Sequence, residues 1–314
     1  MSAIGKVENY LVETPKPLIG AETIQIIILR EILDYTVLRT EDTRELNSVN
    51  TPLSLSESGR ASVAKRVAFL GSKQKAAESR QMEYLLRSAA QNVGKPIPSG
   101  KNGPGCYLKD NLCLSCPRCA LYGATSLGQE ANIKHRIEYS TAFSLMPFDE
   151  ITEEITFNAV NELDQKTGQA LGTRNVVKPA TLFPSVITLK CVTRQELVLT
   201  IKTILACKSY GAESRTGGDC RNTVFGIVAG WEEIITPLEL TLELYDRKDA
   251  LTAEGVVSFL AEKYKGFAGN PDKISILAPA EVDALVKECA ETILDRTFLD
   301  KAYGDVAAYR KAQE

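Results

Sequence analysis

Four cysteines crowd one short stretch, CYLKDNLCLSCPRC, as Cys106, Cys113, Cys116 and Cys119, a Cys-x6-Cys-x2-Cys-x2-Cys spacing. Zinc takes four tetrahedral sulfur or nitrogen donors, and close Cys-x2-Cys pairs let a short turn supply two thiolates at once. Pro117 stiffens that turn, and Gly103, Pro104 and Gly105 give it an irregular lead-in. Four ligands in one loop close the site, so the zinc expected here is structural and not catalytic. His135, the one histidine of the chain, follows the cluster. It can be read as a substitute ligand or as a hydrogen-bonded side chain on a strand. The remaining cysteines, Cys191, Cys207, Cys220 and Cys289, are scattered and read as core or incidental residues. The amino terminus lacks a basic segment followed by an apolar one, and no apolar run is long enough for a membrane span. A reducing cytoplasmic setting without a membrane partner is therefore expected, where clustered thiols serve metals more than disulfides.

Several chemistries are excluded by the residues present. A zinc deaminase needs His-x-Glu ahead of Pro-Cys-x-x-Cys, whereas the histidine here follows the cysteines. Ser-His-Asp hydrolysis would rest wholly on His135. Neither a Walker phosphate loop nor a Gly-x-Gly-x-x-Gly turn occurs. Net charge is −3, which by itself argues against nucleic acid, but the distribution is uneven. Residues 60–101 carry a net +7 and residues 232–314 a net −7. A polyphosphate responds to the local field and not to the total; a solvated helix face is the plainer reading of the same run. The stretch KSYGAESRTGGDCR (208–221) is a glycine-rich loop whose backbone N–H groups could approach phosphate oxygens, with Lys208, Arg215 and Arg221 adding charge.

The elements that must position these residues can be read coarsely. Residues 24–40 are rich in isoleucine, free of glycine and proline, and read as a long buried strand. A polar loop, 41–59, leads into a basic helix opening near Arg60, with Ser56 or Ser58 as cap. A Gly/Pro hinge at 91–105 precedes the cysteines. Residues 133–147 read as a strand, 151–192 as a long hairpin with an irregular tip, and 194–206 as a helix. TVFGIVAGW and PLELTLELYD read as strands, and 253–265 and 279–313 as helices. The succession implies α+β architecture, an antiparallel sheet with helices on one face and inserted subdomains.

Three stretches together resemble the RNA-binding RAMP proteins that form the backbone of CRISPR effector complexes, the Cas seven family, and most closely its type I-D members (Csc two). They are CLSCPRCALYG, NELDQKTGQALGTRNVVKPATLF and YGAESRTGG, similar to the family's cysteine-rich stretch, thumb hairpin and glycine-rich loop. The resemblance implies a ferredoxin-like (RRM-like) palm over 1–94 and 133–278 with the thumb at 151–192. It also implies a zinc-binding insertion at 95–132 and a helical segment at 279–314. It further implies that copies stack along a guide RNA (crRNA), beside other CRISPR effector subunits, and present the guide to a target DNA or RNA strand. The expected RNA-binding residues are Arg60, Lys65 and Arg66 at the start of the basic helix, Arg174 at the thumb, and Lys208, Arg215, Gly217, Gly218 and Arg221 around the glycine-rich loop. Val176, Val177 and Pro179 are the expected wedge. Related complexes of another type cut RNA with an aspartate after the first strand; Asp42 stands there, without the family's clear motif around it. The expectation is a binding subunit and not an enzyme. Its alternatives are an RNA-cleaving subunit using Asp42 and a stand-alone zinc-knuckle RNA-binding protein.

Overall fold

Strand β1 (Thr23–Ile32) is almost wholly buried, because its isoleucines serve both faces of a sheet. Ile24, Ile26 and Ile28 enter one apolar cluster and Ile27 another, the alternation a pleated strand imposes. The computed structural model describes residues 2–39, 45–108, 110–125, 132–157, 163, 172–211, 218–264, 266 and 274–314. After β1 come β2 (Ser48–Pro52), α1 (Glu57–Ala61), β3 (Val63–Phe69), α2 (Gly71–Asn92), α3 (Pro117–Tyr122), β4 (Ile137–Tyr139), β5 (Ala142–Phe143) and α4 (Phe148–Ile151). They are followed by β6 (Thr152–Phe157), β7 (Gly172–Val177), β8 (Leu182–Lys190), α5 (Arg194–Ala206) and β9 (Cys220–Gly230). The chain closes with α6 (Pro237–Tyr245), α7 (Ala253–Lys263), β10 (Ser275–Ile276), α8 (Pro279–Glu291) and α9 (Arg296–Lys311).

The fold is α+β with antiparallel sheets. The main sheet has the order β10-β9-β1-β8-β4, every neighbouring pair antiparallel. One face packs on α2, α5, α8 and α9 through Met82, Leu86, Leu197, Ile201, Leu285 and Leu299. The other packs on α6 and α7 through Leu240, Leu244, Val256 and Phe259. A smaller sheet, β2-β3-β5, and a two-stranded ribbon, β6-β7, stand beside it. Helix α5 begins where Thr193 and Glu196 exchange hydrogen bonds in a capping box. No helix of the described residues is long and apolar enough to cross a membrane.

Six expectations need correction. Residues 133–147 are not one strand: β4 pairs in the main sheet and β5 in the smaller one. Helices cover both faces of the main sheet and not one, because β1 carries isoleucines on both sides. The first strand stops at Ile32 and not at 40, because Leu33 N–H donates to Asp219 and Thr36 pairs with Val177, turning the chain out of the sheet. The basic helix is broken: Ser56 caps only the five-residue α1, and VAKRVAF runs as β3 before α2 begins at Gly71. Within the 151–192 hairpin, β6 pairs with β7, but 182–190 pairs with β1 in the main sheet. PLELTLELY is helix α6, because Thr236 and Glu239 form a capping box and Pro237 occupies the first turn. Its Leu240 and Leu244, one turn apart, reach the core together.

Candidate metal centre and nucleic-acid interface

The Sγ atoms of Cys106, Cys113, Cys116 and Cys119 all lie within 4.8 Å of one another. Cys106 and Cys119 sulfurs are 3.4 Å apart, and Cys106 and Cys116 3.7 Å. A zinc tetrahedron with Zn–S of about 2.3 Å places its sulfurs about 3.8 Å apart. Local backbone chemistry builds this arrangement. Cys116 is the N-cap of α3, its sulfur accepting from Cys119 N–H, with Pro117 in the first turn. Leu114 takes φ 56°, a left-handed conformation costly for a side-chain-bearing residue, and so turns Cys113 toward Cys116. Cys113 N–H donates to Cys106 Sγ and Ser115 N–H to Cys113 Sγ. Such N–H contacts favour thiolate over thiol.

The four sulfurs also shift one another's protons. Hydrogen bonding from Cys106 holds the Cys113 thiol far below its ordinary value, while its neighbours and burial push Cys116 up. Arg118 reaches from α3 to Ser79 Oγ at 2.8 Å, and Glu83 of α2 lies 3.9 Å from the Cys116 sulfur. Burial, then Cys113, raises the Glu83 carboxyl to about 7. Tyr303 and Tyr309 of α9 wall the cluster, so the C-terminal helix packs directly on it. Cys106, Cys116 and Cys119 are buried and Cys113 is half-buried. The quartet fits a closed tetrahedral site, and His135 is not part of it. Burial and the Lys75 charge hold the His135 imidazole below its ordinary value.

The other expected site residues separate into groups. At the end of the main sheet, Thr36, Val177, Lys208, Gly218 and Arg221 come together: Thr36 bridges Val177, Cys220 N–H donates to Lys208, and Ser209 bridges Asp219. Lys208 and Arg221 are exposed. Arg221 pairs with Glu31 across β9 and β1, its Nε 2.9 Å from the carboxylate. Gly218 has φ +66°, and a Cβ there would lie 2.2 Å from Gly211 N. The glycine is thus required for the loop to close on itself, Tyr210 N–H donating to Gly218 O. Arg174 stands on β7 opposite Ile155. Lys65 is exposed on β3, its ammonium 4.2 Å from the Phe148 ring beside the root of the hairpin. Arg60 lies in the last turn of α1, where its charge reaches Tyr264. Arg215, Gly217 and Asp42 lie outside the described residues.

Two expectations fail here for physical reasons. Arg66 is not on a helix N-terminus and is not available to phosphate. It is fully buried, and its guanidinium donates to Thr51 Oγ1 and to the Leu53, Ser144 and Leu145 carbonyls. Val176 and Val177 are also buried, in the cluster at the hairpin's root, and Pro179 sits in the turn toward β8, so none of the three is at a tip. What the residues alone did not reveal is a buried polar chain linking β1, α2 and the glycine-rich loop. Arg30 lies 2.7 Å from Glu78, and Glu78 accepts from Tyr139 and Tyr210 hydroxyls, each at 2.7 Å. Arg30 also donates to Ser185, Tyr210 and Asn222. Burial pulls the Arg30 guanidinium down, but Glu78, joined by Tyr210, Cys220 and Tyr139, more than offsets it and keeps the charge.

The family model described as Csc2 Crispr matches residues 9–302. A crystal structure of Thermofilum pendens Csc2 is similar with a TM-score of 0.67 at 20% identity, covering 98% of this chain and 96% of that one. A chain of a CRISPR RNA-guided surveillance complex in a pre-nicking state is similar with a TM-score of 0.50 at 12% identity, covering 85% of this chain and 100% of that one. Among curated proteins, none matches.

Proposed function

The chain belongs to the Csc2 CRISPR family, and from that premise we propose that it is the guide-RNA-binding backbone subunit of a type I-D CRISPR interference complex. The observation that carries this reading is the convergence of Lys208, Gly218, Arg221 and the hairpin root at one end of the main sheet. Cations and loop backbone there hold phosphates without reading sequence, and base pairing by the guide supplies specificity. The βαββαβ succession β1-α2-β4-β8-α5-β9, with strand order β9-β1-β8-β4, supports a ferredoxin-like palm within 1–94 and 133–278. The β6-β7 ribbon is its thumb. Residues 95–132 are an insertion folded around one structural zinc on Cys106, Cys113, Cys116 and Cys119, and 279–314 is a helical segment packed on the palm. Lys65, Arg174, Lys208 and Arg221 are the cations we assign to the guide, together with Arg60, Arg215 and the Gly217–Gly218 backbone. Arg66 is withdrawn from that set because it is sealed in protein.

Copies stack along one guide, join other effector subunits, and offer guide bases to a target strand. The subunit binds and does not cut. The test is purification from the host cytoplasm. RNAs of uniform length sharing a repeat-derived end, bound in assemblies containing several copies, are the expected result. A monodisperse monomer carrying no RNA would overturn the reading.

A further inference from the structure

Helix α2 turns one side toward the cysteine-bearing insertion, and the space between them is a long basic groove. Ser72, Lys75, Ser79, Arg80, Tyr84 and Arg87 recur at helical spacing along that side, about 22 Å of helix at 1.5 Å per residue. Two cavities, about 750 and 270 Å³, share Ser79, Leu108 and Arg118 and so run into one another. Their walls carry five cations, Lys75, Arg80, Arg87, Arg118 and Lys134, against one carboxylate, Glu83, which faces Arg87 and the cysteines. Among the described residues, Lys75, Arg80, Arg118 and Lys134 have no carboxylate within ion-pair distance. Arg118 is buried, its Nε donating to Ser79 Oγ at 2.8 Å and its Nη1 to Cys119 Sγ at 4.0 Å.

Two aromatic rings stand open at the same place. Tyr84 is 51% exposed and Tyr107, next to the metal ligand Cys106, is 43% exposed. The Arg87 guanidinium lies 6.0 Å from the Tyr84 ring. A positive groove interleaved with exposed aromatic faces is the arrangement that holds single-stranded nucleic acid, phosphates on cations and bases on rings. We infer that this groove binds a single strand other than the guide, DNA or RNA, without sequence preference. The surface differs from the sheet-end site proposed for the guide, and the inference stands or falls separately from it. The insertion then has a task beyond folding: the cysteine turn holds Tyr107 up as one wall.

The full chain, with and without saturating guide RNA, is titrated with labelled non-complementary single-stranded DNA and, in a parallel arm, RNA, at several salt concentrations. Binding that persists in the presence of guide is expected, and the two arms identify which strand is preferred. Arg80→Ala with Arg87→Ala should lower the salt slope by about 1.4, as loss of two phosphate contacts to a single strand requires. Tyr84→Ala and Tyr107→Ala should each weaken binding roughly 5- to 150-fold with the slope unchanged. Guide retention should be unaffected in all of them. The inference is overturned if guide RNA displaces the strand and these variants lose guide instead. It is equally overturned if the variants bind the strand like wild type but shed a partner subunit.

Discussion

Glu78→Ala tests whether the buried chain from β1 to the glycine-rich loop holds the palm together. Its carboxylate and Arg30 are both fully buried, 2.7 Å apart, so removing it leaves a guanidinium stranded in protein. Breaking a buried pair by deleting one partner costs about 3–5 kcal/mol. The Tyr139 and Tyr210 hydroxyls lose their acceptor in the same step. At about 2 °C per kcal/mol for a large chain, thermal unfolding should move down by about 6–10 °C. Arg30→Met combined with Glu78→Leu removes both charges and should recover much of the loss, since an apolar pair of similar volume avoids the desolvation cost. Tyr210 also joins Gly218 through its backbone, so RNA affinity of Glu78→Ala should fall while its salt slope stays that of wild type. Differential scanning calorimetry and RNA titration at several salt concentrations read both effects. A single variant unfolding within 1 °C of wild type, or a double variant no better than the single, refutes the argument.

Elemental analysis should find about one zinc per chain, and Cys116→Ser should lose it and loosen α9, whose tyrosines wall the site; a metal-free, fully stable protein speaks against the centre. Lys208→Ala and Arg221→Ala should each cut the RNA salt slope by about 0.7, whereas Gly218→Val should weaken binding with the slope intact, since it breaks loop closure and not a phosphate contact; equal slopes in all three would contradict the assignment. Asp42→Ala should leave assembly intact and change no nuclease activity; metal-dependent cutting of guide-complementary RNA that this variant abolishes would make the subunit an enzyme. Burial raises Cys207 to about 11 and Cys220 and Cys289 to about 12, from an ordinary 9.0, so these thiols stabilise the fold at neutral pH. The unfolded chain releases those protons first, so under reducing conditions stability should fall as pH rises from about 9 toward 12; a flat melting temperature across that range would count against it.

Local chemistry was legible in the residues. The cysteine spacing announces a four-sulfur cluster because all four donors lie within one short segment, where the turn itself decides geometry. Helix 194–206 is announced by Thr193 and Glu196, which cap their own turn. The capping box at Thr236 and Glu239 was equally present, but the leucine alternation of PLELTLELY imitates a strand, and only packing of Leu240 and Leu244 on the sheet decides for helix. The direction of a cation was not legible at all. Lys65 and Arg66 are neighbours on one strand, and strand pleating sends the first to solvent and the second into protein. Nor could Arg30 be recognised as buried until Glu78, far along the chain, came to face it. Spacing along the chain sets which elements form; tertiary pairing then brings Thr36 to Val177 and Gly218, because that contact joins Thr36 to segments more than a hundred residues away.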